Sequence, residues 1–593
     1  MAYPPARPRR RVLPFVVAVI VAAGLIVGLR WYTTREPGQP AACGGPAVPL
    51  RVAASQDKVH ILRKVAADYN KATCAAVTVD EANSGIVMRT LARGWKEQSD
   101  GKRPDVWAPA GSAWVTLLRR QAGTADGTVP VAEGEPVPIM TSPLTIAMPQ
   151  PMAEALGWPG KAIGWADLAK LAADPKGWAR YGHPEWGAFK LGKTNPNFST
   201  SGLNATIGAY FAATGTTGDL TVRDLAKPEV KRFVRDVERS IVHYGDITMT
   251  FMANLRRADA RGAAMRYISA VTLEENSVTD YNRGNPSGDP ATLGKEPPPR
   301  TPLAAIYPSD GTLYSDHPYV PLTWMDARTK AVAADFLTYL HSAAVQGYFQ
   351  SFGYRTFDGK PGPLAKQEYG VLPNAKIAEL AMPSAAVLEE LLRGWSSLRK
   401  RANVLIVIDK SGSMEQEAEG TGQTRLELAK KAAVNALPQF RGDDAVGLWA
   451  FSTNQDGALD HRELVPLDPM SATGPKLKRQ ITDLLPQGGT GLYDTALAAF
   501  STMKAAHDPE AINAVVFLTD GKNEKSGGIS LDNLLPQLES GGEQSVRLFT
   551  IGFGTDADQE TLRRIAEATD GAAYDSSRPD AIDQVFTAVI SNF

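Results

Sequence analysis

Cysteine is nearly absent from this chain: 593 residues carry two, Cys43 and Cys74. Histidine is almost as scarce. The seven histidines are scattered singly, so nowhere does the sequence gather the four nitrogen or sulfur donors that a structural zinc site needs. Neither sign of charge dominates, because 63 basic and 64 acidic side chains leave a net charge of −1. That balance excludes a broad nucleic-acid-binding face, which requires a basic excess. Catalytic signatures are missing as well: there is no HExxH helix, no Walker loop, no GxSxG elbow and no cysteine–histidine pair. Two SxxK tetrads, Ser397–Lys400 and Ser501–Lys504, lack the companion SDN and KTG motifs and fall on expected helices, where they read as solvated faces. A non-enzymatic protein is expected.

Long apolar runs are rare too, with one exception. Arg7, Arg9, Arg10 and Arg11 precede an uncharged stretch from Val12 to Leu29, closed by Arg30, Trp31 and Tyr32. At helical rise such a stretch nearly matches the hydrocarbon core of a bilayer. The arginines favour a cytoplasmic tail over 1–11, and the Trp-Tyr pair suits the far interface of a transmembrane helix over 12–32. The bulk of the chain is then extracytoplasmic. In that oxidising compartment Cys43 and Cys74 are expected to form one disulfide. Closing a loop of about thirty residues adds on the order of 3–4 kcal/mol.

A chain of this length exceeds one hydrophobic core. Residues 33–48, rich in Pro, Gly and Ala, read as a linker. Over 49–375 short apolar strands alternate with amphipathic helices: strand 50–54, helix 58–69, strand 77–80, helix 86–95. Such alternation implies α/β architecture with a parallel sheet covered on both faces. The segment Thr141–Pro149 reads as a strand crossing between two lobes, and 284–302 as a loop. A connecting helix is expected within 376–402. The run Asn403–Ile408 (NVLIVI) then opens a second strand–helix series over 403–593, whose continuous apolar strands fit the centre of a doubly wound, Rossmann-like sheet. The aromatics Trp158, Trp165, Trp178, Trp186 and Phe189 are assigned to lobe packing, and the pair Asp316–His317 to a solvated loop.

In an open α/β sheet, ligands gather at the carboxyl ends of the strands. Asp409 closes the first strand of the second series, with Ser411 and Ser413 at alternate positions after it. Thr490 follows a Gly-Gly pair before a helix, and Asp520 ends the strand AVVFLT. Together these five residues offer two carboxylates and three neutral hydroxyls, a donor set suited to a hard divalent cation. Two carboxylates roughly balance the metal's charge and leave it one position for a carboxylate from another molecule. On these residues, 403–593 resembles the von Willebrand factor A family. The resemblance implies a metal-ion-dependent adhesion site holding Mg²⁺ (or Mn²⁺ or Ca²⁺) and a protein partner that supplies the last ligand. Lys410 departs from the small or apolar residue usual at its position, which bears on specificity rather than on metal binding.

The segment 49–375 carries Ser-rich turns that open helices: Ser55 after the first strand, Asn83-Ser84-Gly85 after the second, and Thr194–Gly202 (TNPNFSTSG) later on. Such turns present amides and hydroxyls to an anion, assisted by the helix dipole, although Ser, Thr and Asn also serve as ordinary N-caps. With the crossing segment SPLTIAMP, these residues resemble the type II extracellular solute-binding proteins of bacteria. The resemblance implies a two-lobed periplasmic-binding-protein-like domain with a cleft for a small-molecule or anionic solute, lined by Ser55, Asn83, Ser84, Gly85, Ser199, Thr200, Ser201 and Gly202. The combined expectation is a membrane-anchored binding and adhesion protein. The rival readings are a solute sensor or uptake component and, further off, a cell-envelope hydrolase.

Overall fold

The structure, a computed structural model, describes residues 45–122, 131–132, 134–245, 247–539 and 545–593. The expected membrane helix over 12–32 and Cys43 lie outside them. No helix among the described residues is long and apolar enough to cross a membrane. Cys74 is not a free thiol, and its carbonyl accepts the Val48 amide at 3.0 Å.

In the first domain, strands β1 (Val48–Ala54), β2 (Ala75–Glu81), β3 (Val106–Ala108), β4 (Val137–Pro138), β5 (Ser142–Pro149), β6 (Leu191–Thr194), β7 (Ile241–Gly245), β8 (Ala270–Glu274), β9 (Leu303–Ile306), β10 (Tyr314–Ser315) and β11 (Pro318–Pro321) sort into two sheets. Their orders are β2-β1-β3-β11-β4 and β10-β5-β8-β6-β7, with β9 paired to β5. Each sheet organises one lobe. Five helices open just past strand ends: α1 (Gln56–Ala72) after β1, α2 (Ser84–Ala92) after β2, α3 (Thr200–Thr214) after β6, α4 (Thr248–Ala260) after β7 and α5 (Glu275–Asn282) after β8. The lobes are tied where Thr141 and Arg355 exchange two backbone hydrogen bonds, of 3.1 and 2.9 Å. The Arg355 guanidinium then forks onto the Glu275 carboxylate with two bonds of 2.8 Å, the bidentate geometry that makes such pairs directional.

Helix α6 (Ala385–Leu398) connects the domains, and the second adds β12 (Arg401–Asp409), helix α7 (Arg425–Ala436), β13 (Ala445–Asp456), β14 (Leu459–Pro469), helix α8 (Leu492–Ala505), β15 (Ala511–Thr519), β16 (Arg547–Phe553), β17 (Ala573–Ser576) and helix α9 (Ile582–Ile590). Its six strands run in the order β14-β13-β12-β15-β16-β17. The continuous apolar reading of β12 has a direct cause. Val404, Ile406 and Ile408 enter one apolar cluster, and Leu405 and Val407 enter another on the opposite face. A strand buried on both sides needs no polar alternation. β14 escaped the sequence reading because it is an antiparallel edge whose His461, Arg462, Glu463 and Asp468 face partly or wholly outward, a pattern that reads as loop.

The two α/β units of the sequence are joined in the structure through a shared core. One continuous apolar cluster contains Leu144, Trp165, Trp178 and Tyr244 of the second lobe together with Val404, Ile406, Phe549 and Phe593 of the C-terminal domain. The aromatic group 158–189 packs inside it, as expected. Polar bonds fix the seam: Tyr244 N to Asn592 O at 3.0 Å, Asn195 Nδ2 to Ser591 O at 3.0 Å, and ion pairs Arg257–Glu567 at 3.1 Å and Arg261–Asp570 at 3.0 Å. His243, fully buried, stacks on Phe251 and meets the edge of Phe549; burial holds its pKa well below the ordinary histidine value.

Asp280, buried in α5, has its carboxyl pushed up to about 8 by burial, against the opposing pull of Arg283 and Asn285. The folded state therefore keeps a proton that the unfolded chain releases near 3.8, so stability falls as pH rises across that interval and levels off above it. Asp280→Asn should lack this slope. Melting temperatures of wild type and variant from pH 5 to pH 9 should diverge upward in the variant's favour; parallel curves would show that Asp280 ionises freely in the fold.

Candidate functional site

At the carboxyl rim of the second sheet, β12 delivers Asp409 and the next strand, β15, delivers Asp520 just past Thr519. Both carboxylates are fully buried. Asp409 accepts the Ser411 amide at 2.7 Å and the Thr519 hydroxyl at 2.5 Å. Ser411 and Ser413 share a hydroxyl–hydroxyl contact of 3.0 Å, and Ser413 donates to Asp520 at 2.7 Å. The Gly488–Thr490 turn is held against them by a Gly412 N to Gly488 O bond of 2.8 Å. Gly521 is glycine for a reason: a Cβ there would stand 2.9 Å from the Thr490 hydroxyl. All five expected residues thus meet at one rim. Burial pushes the Asp409 carboxyl up to about 7, and the neighbouring Asp520 charge adds to the rise, while the Thr519 and Ser411 hydrogen bonds oppose it.

One participant had no signal in the sequence. Arg425, the first residue of α7, donates to Asp520 at 2.7 Å and to Asp556 at 2.6 Å. Its guanidinium offsets one of the two buried charges. The oxygen-rich set of two carboxylates and three hydroxyls fits a hard divalent cation, with Arg425 as a fixed positive neighbour. Among the described residues no cluster of three or more His, Cys, Asp or Glu has metal-binding geometry; this set, with only two carboxylates, is of a different type.

The second site lies between the lobes. The ends of α1, α2, α3 and α4 converge on a cavity of about 40 Å³ whose lining includes Ser55, Asn83, Ser84, Ser199, Thr200 and Ser201, six of the eight residues expected there. Gly85 and Gly202 are not among its lining residues. A Cβ on Gly85 would stand 2.4 Å from the Asn197 carbonyl, and one on Gly202 2.1 Å from the Thr194 carbonyl, so both glycines serve close backbone approach. Capping explains only part of the serine pattern. Asn83 does cap α2, accepting the Ile86 amide at 3.1 Å. Ser55 and Ser199 make no side-chain cap. Instead Thr194, Ser199 and Ser201 form a triangle of hydroxyls 2.9 to 3.1 Å apart, and Trp114 of the first lobe donates to Thr200 of the second at 2.8 Å.

Two carboxylates that the sequence reading passed over also line this cavity, Asp57 and Glu274. Lys58 stands behind it, its ammonium bonded to the Ser55 hydroxyl and to Pro109 O at 3.0 Å. Burial lowers the Lys58 pKa to about 8 and raises that of Glu274 to about 7, with the Asp57 charge adding to the latter. The Asp316–His317 pair is not solvated as expected. His317 is fully buried, 3.4 Å from both Lys58 and Asp57, and Asp316 is bonded to the Ser112 amide at 2.7 Å. His317 also holds a positive φ of 39°, a backbone conformation costing on the order of 1 kcal/mol. Desolvation, with Lys58 nearby, lowers its pKa to about 3, so it stays neutral.

Gln56, Asn83 and Phe198 also line a larger chamber of about 730 Å³. Its walls come from Arg51 and Trp95 of the first lobe and from Tyr574, Arg578 and Val585 of the second domain.

Residues 50–355 match the family described as bacterial extracellular solute-binding protein, and residues 403–588 match the von Willebrand factor type A domain. Human inter-alpha-trypsin inhibitor heavy chain H2 is 26% identical over 179 residues, covering 29% of this chain and 17% of that one; the chain thus spans under a fifth of that relative. Among solved structures, a von Willebrand factor type A protein from Catenulispora acidiphila aligns with 24% identity and TM-score 0.26, over 32% of this chain and 42% of that one. A ferric binding protein from Campylobacter jejuni aligns with 12% identity and TM-score 0.40, over 59% and 99%. The first match takes in just over half of the residues, and the chain belongs to the bacterial extracellular solute-binding proteins, with a von Willebrand factor type A domain joined to that solute-binding domain.

Proposed function

We propose that this chain is a membrane-anchored, extracytoplasmic receptor that makes metal-dependent contacts with a protein partner through its A domain and holds a small solute in the cleft of its first domain. The observation that carries the reading is the meeting of Asp409, Ser411, Ser413, Thr490 and Asp520 at one sheet rim. Mg²⁺, or Mn²⁺ or Ca²⁺ in its place, would be held by these five, and when bound it supplies an electrophilic position for a partner's carboxylate. Asp409 and Asp520 bring the negative charge, the hydroxyls orient, and Arg425 fixes Asp520 from behind. The residues 12–32 act as the anchor in this reading, and a Cys43–Cys74 disulfide secures the start of the first lobe. Both matched families are binding families, in keeping with a role other than catalysis. The alternative of a solute sensor draws on the seam that joins the cleft-bearing lobe to the A domain, since a change at one would reach the other.

Titration calorimetry of the detergent-solubilised full chain with MgCl₂ should show saturable heat that Asp409→Ala abolishes. Equal heats in the two proteins would remove the proposed metal site. Arg425→Gln should destabilise the metal-free protein by about 3 kcal/mol in urea unfolding, because it leaves a buried carboxylate without its partner. Added Mg²⁺ should restore more stability to this variant than to wild type.

A further inference from the structure

Among the described residues, the lining of the inner cavity contains two carboxylates, Asp57 and Glu274, and no basic side chain. Lys58 stands behind the wall, bonded to Ser55 and Pro109 and beside His317, and its charge offsets part of the charge of Asp57 and Glu274. A bare oxyanion buried here would face two acidic groups against the single ammonium of Lys58, an excess of negative charge that burial makes costly. A bare cation fares no better. The same cavity receives the N-terminal ends of four helices and a triangle of hydroxyls from Thr194, Ser199 and Ser201, all favourable to negative charge. The cavity therefore combines both characters, helix-end donors and hydroxyls together with the carboxylates of Asp57 and Glu274. Glu274, a lining residue, is 6% exposed, and its carboxylate accepts the Ser315 hydroxyl at 3.1 Å.

Resting on the reading of the cleft as a solute site, we infer that its ligand is a small zwitterion of the α-amino-acid type. The ligand's carboxylate meets the hydroxyl and helix-end wall that includes Ser199 and Ser201, and its ammonium meets Asp57 and Glu274. The size agrees. A cavity of about 40 Å³ has room on the order of three waters, which suits the head of such a molecule. The chamber beyond Gln56, Asn83 and Phe198 takes any side chain or peptide extension.

Thermal-shift and calorimetric titrations of the full chain test this with glycine, L-alanine and glycylglycine as zwitterions, ethanolamine as the ammonium alone, and sulfate and molybdate as anions alone. At least one zwitterion should bind saturably, with ethanolamine and the anions at least tenfold weaker. Glu274→Gln and Ser201→Ala should each weaken that zwitterion at least tenfold, and Asp57→Asn provides a second carboxylate variant should Glu274→Gln fail to fold. Saturable sulfate or molybdate binding that is unchanged by Glu274→Gln would overturn the ligand class while upholding the cleft as a solute site. Ethanolamine binding as tight as the zwitterions would overturn the role of the hydroxyl wall. Absence of binding by every probe would sink the zwitterion assignment and count against the solute cleft itself.

Discussion

The burial of one apolar surface shared by two domains is the constraint on which the remaining architecture rests. Phe593 and Phe549 share a cluster with Trp178 and Tyr244 of the second lobe, so the two domains have one apolar cluster in common. Fully burying a side chain of this size contributes about 1.5–3 kcal/mol, and several cross the seam. Some of the polar groups trapped there pair across it: the carbonyls of Ser591 and Asn592 accept Asn195 and the Tyr244 amide. Because Asn195 is part of the TNPNFSTSG segment, whose Phe198 to Ser201 line the cavity, the A domain braces one wall of it.

Both sites solve the same electrostatic problem in different ways. At the A-domain rim two carboxylates lie buried side by side. Hydroxyls from Ser413 and Thr519, together with Arg425, keep them tolerable. In the cleft, Asp57 and Glu274 are offset by Lys58 and by helix ends. In each case the groups sit at the carboxyl ends of parallel strands, where the chain must leave the sheet and amides are free to donate. The fold supplies position, and the residue types supply character.

Much of this was legible in the linear sequence because it depends on local pattern. NVLIVI announces a doubly covered strand, and D-x-S-x-S after it marks the rim. Ser199–Ser201 before a helix marked the cleft. What escaped needed the third dimension. Arg425 lies far along the chain from Asp520, and nothing in its neighbourhood distinguishes it from a surface arginine. Asp57 reads as an ordinary acidic residue in a helix's first turn, and Glu274 as the end of a strand. His317 looked solvated because its burial comes from Tyr354 and Lys58, neither adjacent to it. Gly85 and Gly202 sit in the first turns of α2 and α3 beside the cavity, and only coordinates reveal which carbonyl a missing Cβ makes room for.

Helix α6 touches both lobes and leads into the second domain. Leu388 and Leu391 pack in one cluster with Trp114 and Leu117 of the first lobe and with Leu203 and Ile207 of the second, and three residues after its end β12 begins its run toward Asp409. A free-standing two-lobed binder opens like jaws about a hinge. Here a tie-rod bolted to both jaws runs straight into the central strand of the neighbouring domain, so the jaws cannot part without shearing that joint or dragging the strand along.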